Sequence, residues 1–260
     1  MDSSVAGSVM QVGAATLLPV AWSQFKDVDL HARHHSPCRG GDFFDALLVG
    51  RHVLFLLTDI AGLQLQAQQV ASHVQSTFRQ KTQELFAGSD VNESDALAEL
   101  AHAFNLAVLE AAQGVRFAPT FLGCFNLAHN ILSYCNAGNL LALIRSEGDV
   151  RVLESSGMPL GLFSHTTFEA AILALQPGDA MLVVTKGVTE SRRGSTRFGA
   201  ERVERMLKDA TTASASTICE AVLREAHDYS HHPWSQFLSM FRKTESCNTD
   251  DLTALALVRR

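Results

Sequence analysis

The chain has 260 residues, 47% of them apolar and 18% charged, with a formal net charge of −6. That length can bury a substantial core as one large domain or two small ones, and the composition excludes wholesale disorder. An acidic balance without any Lys/Arg-rich run excludes a nucleic-acid surface, and no apolar run approaches the roughly 20 residues of a membrane helix.

No basic n-region precedes an apolar stretch at the start, so no secretory signal is expected. Residues 1–16 are small and weakly patterned, and an arm or a short helix is expected there, with a single domain over 17–260. Asp27 to Arg33 alternates, with Val28, Leu30 and Ala32 on one side, as in a half-buried strand. Gly40-Gly41 turns the chain into Asp42-Phe43-Phe44-Asp45, where Asp42 and Phe44 face one way and Phe43 and Asp45 the other. Ala46 to Val49, a turn at Gly50-Arg51 and the apolar run Val53 to Leu57 make a hairpin that can bring Asp42 beside Asp59. Beyond Gly62 the apolar positions take helical spacing through Phe78. A second helix is expected from Ser94, a candidate cap, to Gln113.

Strand-like runs follow at Thr120 to Leu127, Ile131 to Asn136, Leu140 to Arg145, Val150 to Leu153, Phe168 to Leu175 and Ala180 to Lys186. Two helices are expected at Gly199 to Lys208 and Ala213 to Tyr229, then a closing strand at Leu252 to Val258. This order is not the βαβ alternation of a doubly wound fold; it predicts packed sheets with helices outside. An ionised carboxylate such as Asp59, at the mouth between a core strand and a helix, is costly unless paired, hydrogen-bonded or bound to a cation. A helix cap or turn residue is the plainer reading of that position alone.

Several motifs in order resemble the metal-dependent protein phosphatases of the PPM (type 2C) family, in its SpoIIE/RsbU-like bacterial branch. They are Gly40-Gly41-Asp42-Phe43-Phe44-Asp45, Thr58-Asp59-Ile60-Ala61-Gly62, Asn136-Ala137-Gly138 and Gly157-Met158-Pro159-Leu160-Gly161-Leu162-Phe163. Pro177-Gly178-Asp179, Gly187-Val188-Thr189-Glu190, Phe198-Gly199 and Asp250-Asp251-Leu252-Thr253 complete the set. The resemblance implies an α+β fold, a four-layer α-β-β-α sandwich of two mainly antiparallel sheets flanked by helices. It also implies one or two Mn²⁺ or Mg²⁺ ions, whose preference for oxygen ligands suits aspartates without a Cys or His cluster. By the same resemblance Asp59 bridges both ions and the Ile60 carbonyl joins one. Asp250 binds the other, Asp42 helps to hold water on the cations, and Asp251 stands close by. Hydroxide formed between the ions would attack phosphorus in line, without a phospho-enzyme.

One departure touches the ligands. Where the family has Thr-Asp-Gly, this chain reads Thr185-Lys186-Gly187. A protonated lysine cannot ligate a cation and would repel one. Lys186 is expected to point inward, pairing with Asp59 or Asp250 in place of an ion; pointing outward, it would leave one ion on Asp59 and Ile60. Lesser departures are Leu63-Gln64-Leu65 after Gly62, and Asn139 where the family has histidine.

Other candidates have plainer readings. His31, His34, His35, His231 and His232 read as solvent-facing rather than as metal tracts. Cys38 lies near Asp42 but reads as an inert thiol. The five cysteines (Cys38, Cys124, Cys135, Cys219 and Cys247) are odd in number and form no CxxC pair, which predicts reduced thiols in the cytoplasm. Arg192, Arg193 and Arg197 read as a solvated loop that could also meet a phosphorylated partner. Trp234, Phe237, Leu238 and Phe241 lie at helical spacing and are expected to form an amphipathic insert, whose plainer reading is packing on the core and whose alternative is a partner surface. The expected function is a protein serine/threonine phosphatase, weak because of Lys186, acting on a phosphorylated regulator such as an anti-sigma-factor antagonist. The alternative is a non-catalytic pseudophosphatase that binds partners.

Overall fold

In the computed structural model, residues 11–12, 15–16, 27–35, 41–60, 64–111, 117–231 and 251–260 are described. Cys38, His232, the segment from Trp234 to Phe241, Cys247 and Asp250, for which expectations were given above, lie outside them.

Near the start, β1 (Gln11–Val12) and β2 (Ala15–Thr16) pair antiparallel, so these residues are strands and not a short helix. The alternating segment is β3 (Val28–His35), which runs two residues further than its pattern predicts. The expected hairpin is β4 (Asp42–Val49) and β5 (His52–Asp59). Val53 to Leu57 of β5 are fully buried, because β5 lies inside its sheet and is covered on both faces.

Helices α1 (Gln64–Phe86) and α2 (Glu93–Ala111) follow, as their apolar spacing predicts. The start of α2 is capped by Asn92 rather than Ser94: Asn92 Oδ1 accepts from the backbone N–H of Ser94 at 3.2 Å and of Asp95 at 3.3 Å. Next come β6 (Thr120–Asn126), β7 (Ile131–Ala137), β8 (Leu141–Ser146), β9 (Asp149–Val152), β10 (Ala171–Ala174) and β11 (Ala180–Val184). A short helix, α3 (Lys186–Glu190), leads into a small hairpin of β12 (Arg192–Arg193) and β13 (Thr196–Arg197). Helices α4 (Ala200–Asp209) and α5 (Ala215–Ser230) and the strand β14 (Leu252–Arg259) complete the chain.

Two five-stranded sheets result, ordered β10-β7-β6-β5-β4 and β3-β14-β11-β8-β9, with every pairing antiparallel. Three apolar layers hold them. Phe55, Leu57, Phe121 and Phe125 of the first sheet meet Ile144, Met181, Val183 and Leu255 of the second. The outer face of the first sheet packs under α1 and α2 through Phe43, Leu54, Phe78 and Phe104. The outer face of the second packs under α4 and α5 through Leu182, Val184, Val203 and Val222. This is the four-layer α-β-β-α sandwich that the resemblance implies.

The alternation along β4 sends Asp45 toward α1. Its carboxylate, fully buried, accepts Nε of Arg79 at 2.8 Å and Nη2 at 3.0 Å, together with Gln75 Nε2 at 3.2 Å. The second aspartate of the Gly40–Asp45 motif thus clamps α1 to the sheet. Burial pushes its pKa up, and Arg79 pulls against that. Asp45→Ala leaves the guanidinium without its fork partner, and a loss of about 3 kcal/mol is expected on urea unfolding. A loss under about 1 kcal/mol would make the pair a bystander.

Candidate metal centre

Eight register pairs run along the β4–β5 hairpin, from Val49↔His52 to Asp42↔Asp59 at the opposite end. The two acids therefore stand side by side at one rim of the sandwich. Asp42 is 5% exposed, and Asp59 is half-buried. The backbone closes behind them, with Ile60 N–H donating to the Gly41 carbonyl at 3.2 Å and Asp59 N–H to the Pro119 carbonyl at 2.9 Å. A Cβ on Gly41 would lie 2.0 Å from the Ile60 carbonyl oxygen, so only glycine lets the chain pass there.

The second sheet supplies the remaining groups. Thr185, just past β11, and Thr253 of β14 both donate their hydroxyls to Oδ2 of Asp42, at 2.8 and 2.5 Å. The same two residues are tied to each other: Thr253 N–H meets Thr185 Oγ1 at 3.2 Å, and Thr185 N–H meets the Thr253 carbonyl at 3.0 Å. Asp251 Oδ2 lies 3.5 Å from the Asp42 backbone N–H. His34 of β3 places Nδ1 2.7 Å from Thr253 Oγ1, and donor atoms of His34, Asp42 and Asp251 fall within 4.8 Å of one another. Both sheets thus contribute to one acidic rim.

Burial pushes the Asp42 pKa well above the usual carboxylate range. The neighbouring Asp59 adds to this, the Thr253 and Thr185 hydroxyls pull it back, and Asp251 raises it further. Burial likewise pushes the His34 pKa down, against the pull of Asp251. Oxygen donors converging on a buried carboxylate held above its ordinary range make a set that a hard divalent cation would relieve. The donor chemistry fits Mg²⁺ or Mn²⁺.

The sequence-predicted residues Asp42, Asp59, Ile60 and Asp251 are brought together; Asp250 lies outside the described residues. Lys186 departs from expectation. Its side chain is exposed, and no ion pair among the described residues includes it. Thr185 is extended (φ −76°, ψ 163°) and faces Asp42, so the next residue, the first of α3, leaves on the other side. No ion pair between Lys186 and Asp59 is found among the described residues, and Asp250, the other expected partner, lies outside them.

Thr185 and Thr253 are not among the expected site residues, and His34, expected to face solvent, is instead half-buried against Thr253. Their signal was there: Thr253 shares a face with Asp251, and His34 continues the inward series Val28, Leu30, Ala32. Other motifs turn out to be scaffold. The Asn136 side chain donates to the carbonyls of Leu140 at 2.9 Å and Leu153 at 3.2 Å and accepts Leu140 N–H at 3.1 Å, locking the β7–β8 turn. Asn105 of α2 holds the 157–163 loop by donating to the Phe163 carbonyl at 2.8 Å and accepting Gly161 N–H at 2.8 Å.

Residues 50–260 match the family described as Stage II sporulation protein E (SpoIIE). Protein IcfG of Synechocystis sp. (strain ATCC 27184 / PCC 6803 / Kazusa) is 27% identical over 201 residues, which are 69% of this chain and 31% of that protein. The chain therefore spans under a third of that relative. The SiaA-PP2C domain of Pseudomonas aeruginosa superposes with a TM-score of 0.69 at 17% identity, covering 89% of this chain and 85% of that one. RsbX, solved in complex with magnesium, superposes with a TM-score of 0.61 at 14% identity, covering 91% of this chain and 98% of its own. At these identities the structural matches speak for the fold.

Proposed function

The chain belongs to the SpoIIE family, and on that premise we propose that it is a metal-dependent phosphatase of phosphoserine or phosphothreonine in a signalling protein. A partner of the anti-sigma-factor-antagonist type is the substrate class that its family resemblance favours. The observation that carries the reading is the pairing of Asp42 with Asp59 at a rim where Asp251, Thr185 and Thr253 arrive from the other sheet.

Asp59, the Ile60 carbonyl and Asp42 would hold Mg²⁺ or Mn²⁺, with Asp251 near Asp42 and with Asp250 a further ligand by family resemblance. Such an ion supplies Lewis acidity, lowering the pKa of water and offsetting charge on the phosphoryl group. The protein's own part is orientation. Two threonine hydroxyls donate to Oδ2 of Asp42, which restrains the carboxylate through that oxygen. The Gly41 carbonyl accepts the Ile60 N–H, and the missing Cβ of Gly41 leaves room for the Ile60 carbonyl. Lys186 takes a ligand position out of the set without filling the site, which supports a centre that is weakened and not blocked.

Release of phosphate from a phosphoserine peptide in millimolar Mn²⁺ is expected, and none in EDTA. Protons compete with the cation for Asp42, whose pKa is raised, so Mn²⁺ affinity should climb as pH rises. The missing ligand at Lys186 also favours a second reading, a partner-binding domain without turnover. No phosphate release together with no Mn²⁺-induced rise in melting temperature would overturn the phosphatase reading and leave that one.

A further inference from the structure

The sequence holds two histidine tracts nearly 200 residues apart, and the fold brings them together. β3 ends on His35, while His227 and His231 lie one helical turn apart at the end of α5. The rings of His227 and His231 are near parallel, 16° apart in plane, with centroids 4.2 Å apart. The His35 ring meets His227 edge-on at 4.6 Å. His35 directly follows His34 on β3, and the alternation of the strand turns the two side chains to opposite faces.

Hydrogen bonds decide which nitrogens are free. His227 Nδ1 lies 3.3 Å from a carboxylate oxygen of Asp228, and His231 Nδ1 lies 2.9 Å from the His227 carbonyl oxygen, with Ser230 Oγ also at 2.9 Å. Carboxylate and carbonyl oxygens only accept, so each Nδ1 carries a proton and each Nε2 keeps its lone pair. Ligating imidazoles are commonly oriented in this way, one nitrogen donating to a carboxylate or backbone carbonyl and the other left for the ion. Burial lowers the His35 pKa, and His227, His231 and Arg33 lower it further, which favours the neutral ring that can ligate. The charge of Arg33 is itself paired with Glu220 at 3.1 Å.

We propose that His35, His227 and His231 form a binding site for a borderline divalent transition-metal ion such as Zn²⁺, a nitrogen-ligand site separate from the oxygen centre at Asp42 and Asp59. Imidazole selects Zn²⁺, Ni²⁺ or Cu²⁺ over Mg²⁺, so the two sites differ in the ions they take. His227 touches both of the other rings, and bringing one nitrogen of each to a single ion takes rotation of these side chains. The ion would pin the end of β3 to the end of α5.

The test uses the full chain without a polyhistidine tag, stripped of metal and titrated with Zn²⁺ in excess Mg²⁺ by calorimetry. One Zn²⁺ is expected to bind. His227→Ala and His231→Ala should each weaken it by about tenfold or more, whereas Asp59→Asn leaves it intact. His231 sits at the exposed tip of α5, so its substitution keeps the test valid should His227→Ala fail to fold. Cu²⁺ loaded in place of Zn²⁺ should show imidazole nitrogen couplings in its electron paramagnetic resonance spectrum. Zn²⁺ binding equal in wild type and both variants, no Zn²⁺ bound in excess Mg²⁺, or a Cu²⁺ spectrum without nitrogen couplings would each overturn the proposal.

Discussion

Asp59→Asn is expected to cut Mn²⁺-dependent phosphate release by about 10³-fold, on the order of 4 kcal/mol of barrier. The same change should erase the rise in melting temperature that Mn²⁺ brings. In the metal-free protein the sign differs. Asp59 stands opposite Asp42 in the β4–β5 register and, after burial, contributes most to raising that carboxylate's pKa. Replacing it with a neutral amide of the same shape removes a like charge, so the metal-free melting temperature should hold or rise. A structural residue would behave in the opposite way, losing stability and activity together. Retained Mn²⁺ response in Asp59→Asn would remove this residue from the centre.

Lys186→Asp should act in the other direction, tightening Mn²⁺ binding by about tenfold or more and raising turnover with it. Lys186 opens α3 directly after Thr185, whose hydroxyl is on Asp42, so its backbone is at the rim even though its side chain reaches into solvent. A short carboxylate at that place supplies a hard oxygen donor, and the substitution also removes a nearby positive charge. Lys186→Ala separates the two effects. An exposed ammonium is strongly screened, so the alanine variant should recover only a small part of the gain. Metal titrations of the three proteins that coincide would show that position 186 does not belong to the centre.

Much of this arrangement was legible beforehand because it rests on periodicity. Two-residue alternation through Asp42–Asp45 and the apolar run Val53–Leu57 predicted the hairpin and its paired acids, and helical spacing predicted α1 and α2. Where the reading fell short, a pattern was cut too early or the element was too brief to have one. Ending β3 at Arg33 left His34 among loop residues, although it faces the same side as Leu30 and Ala32 and reaches Thr253. The five residues of α3 and the two-residue strands β12 and β13 are shorter than any repeat that spacing can reveal. Lys186 was expected inward on charge alone. The local backbone decided otherwise, since Thr185 had already taken the inward place.

The two-residue turn at Gly50 and Arg51, with Gly50 at φ 56°, works as the zero mark of a ruler. Seven residues of each strand separate it from the acids, roughly 25 Å at the usual rise per residue. Lengthening that turn by one residue would slide one strand against the other and carry one carboxylate to the far face, with no chemical group at the rim altered. The tip most remote from the acids is therefore held to a glycine at position 50 and to its two-residue length.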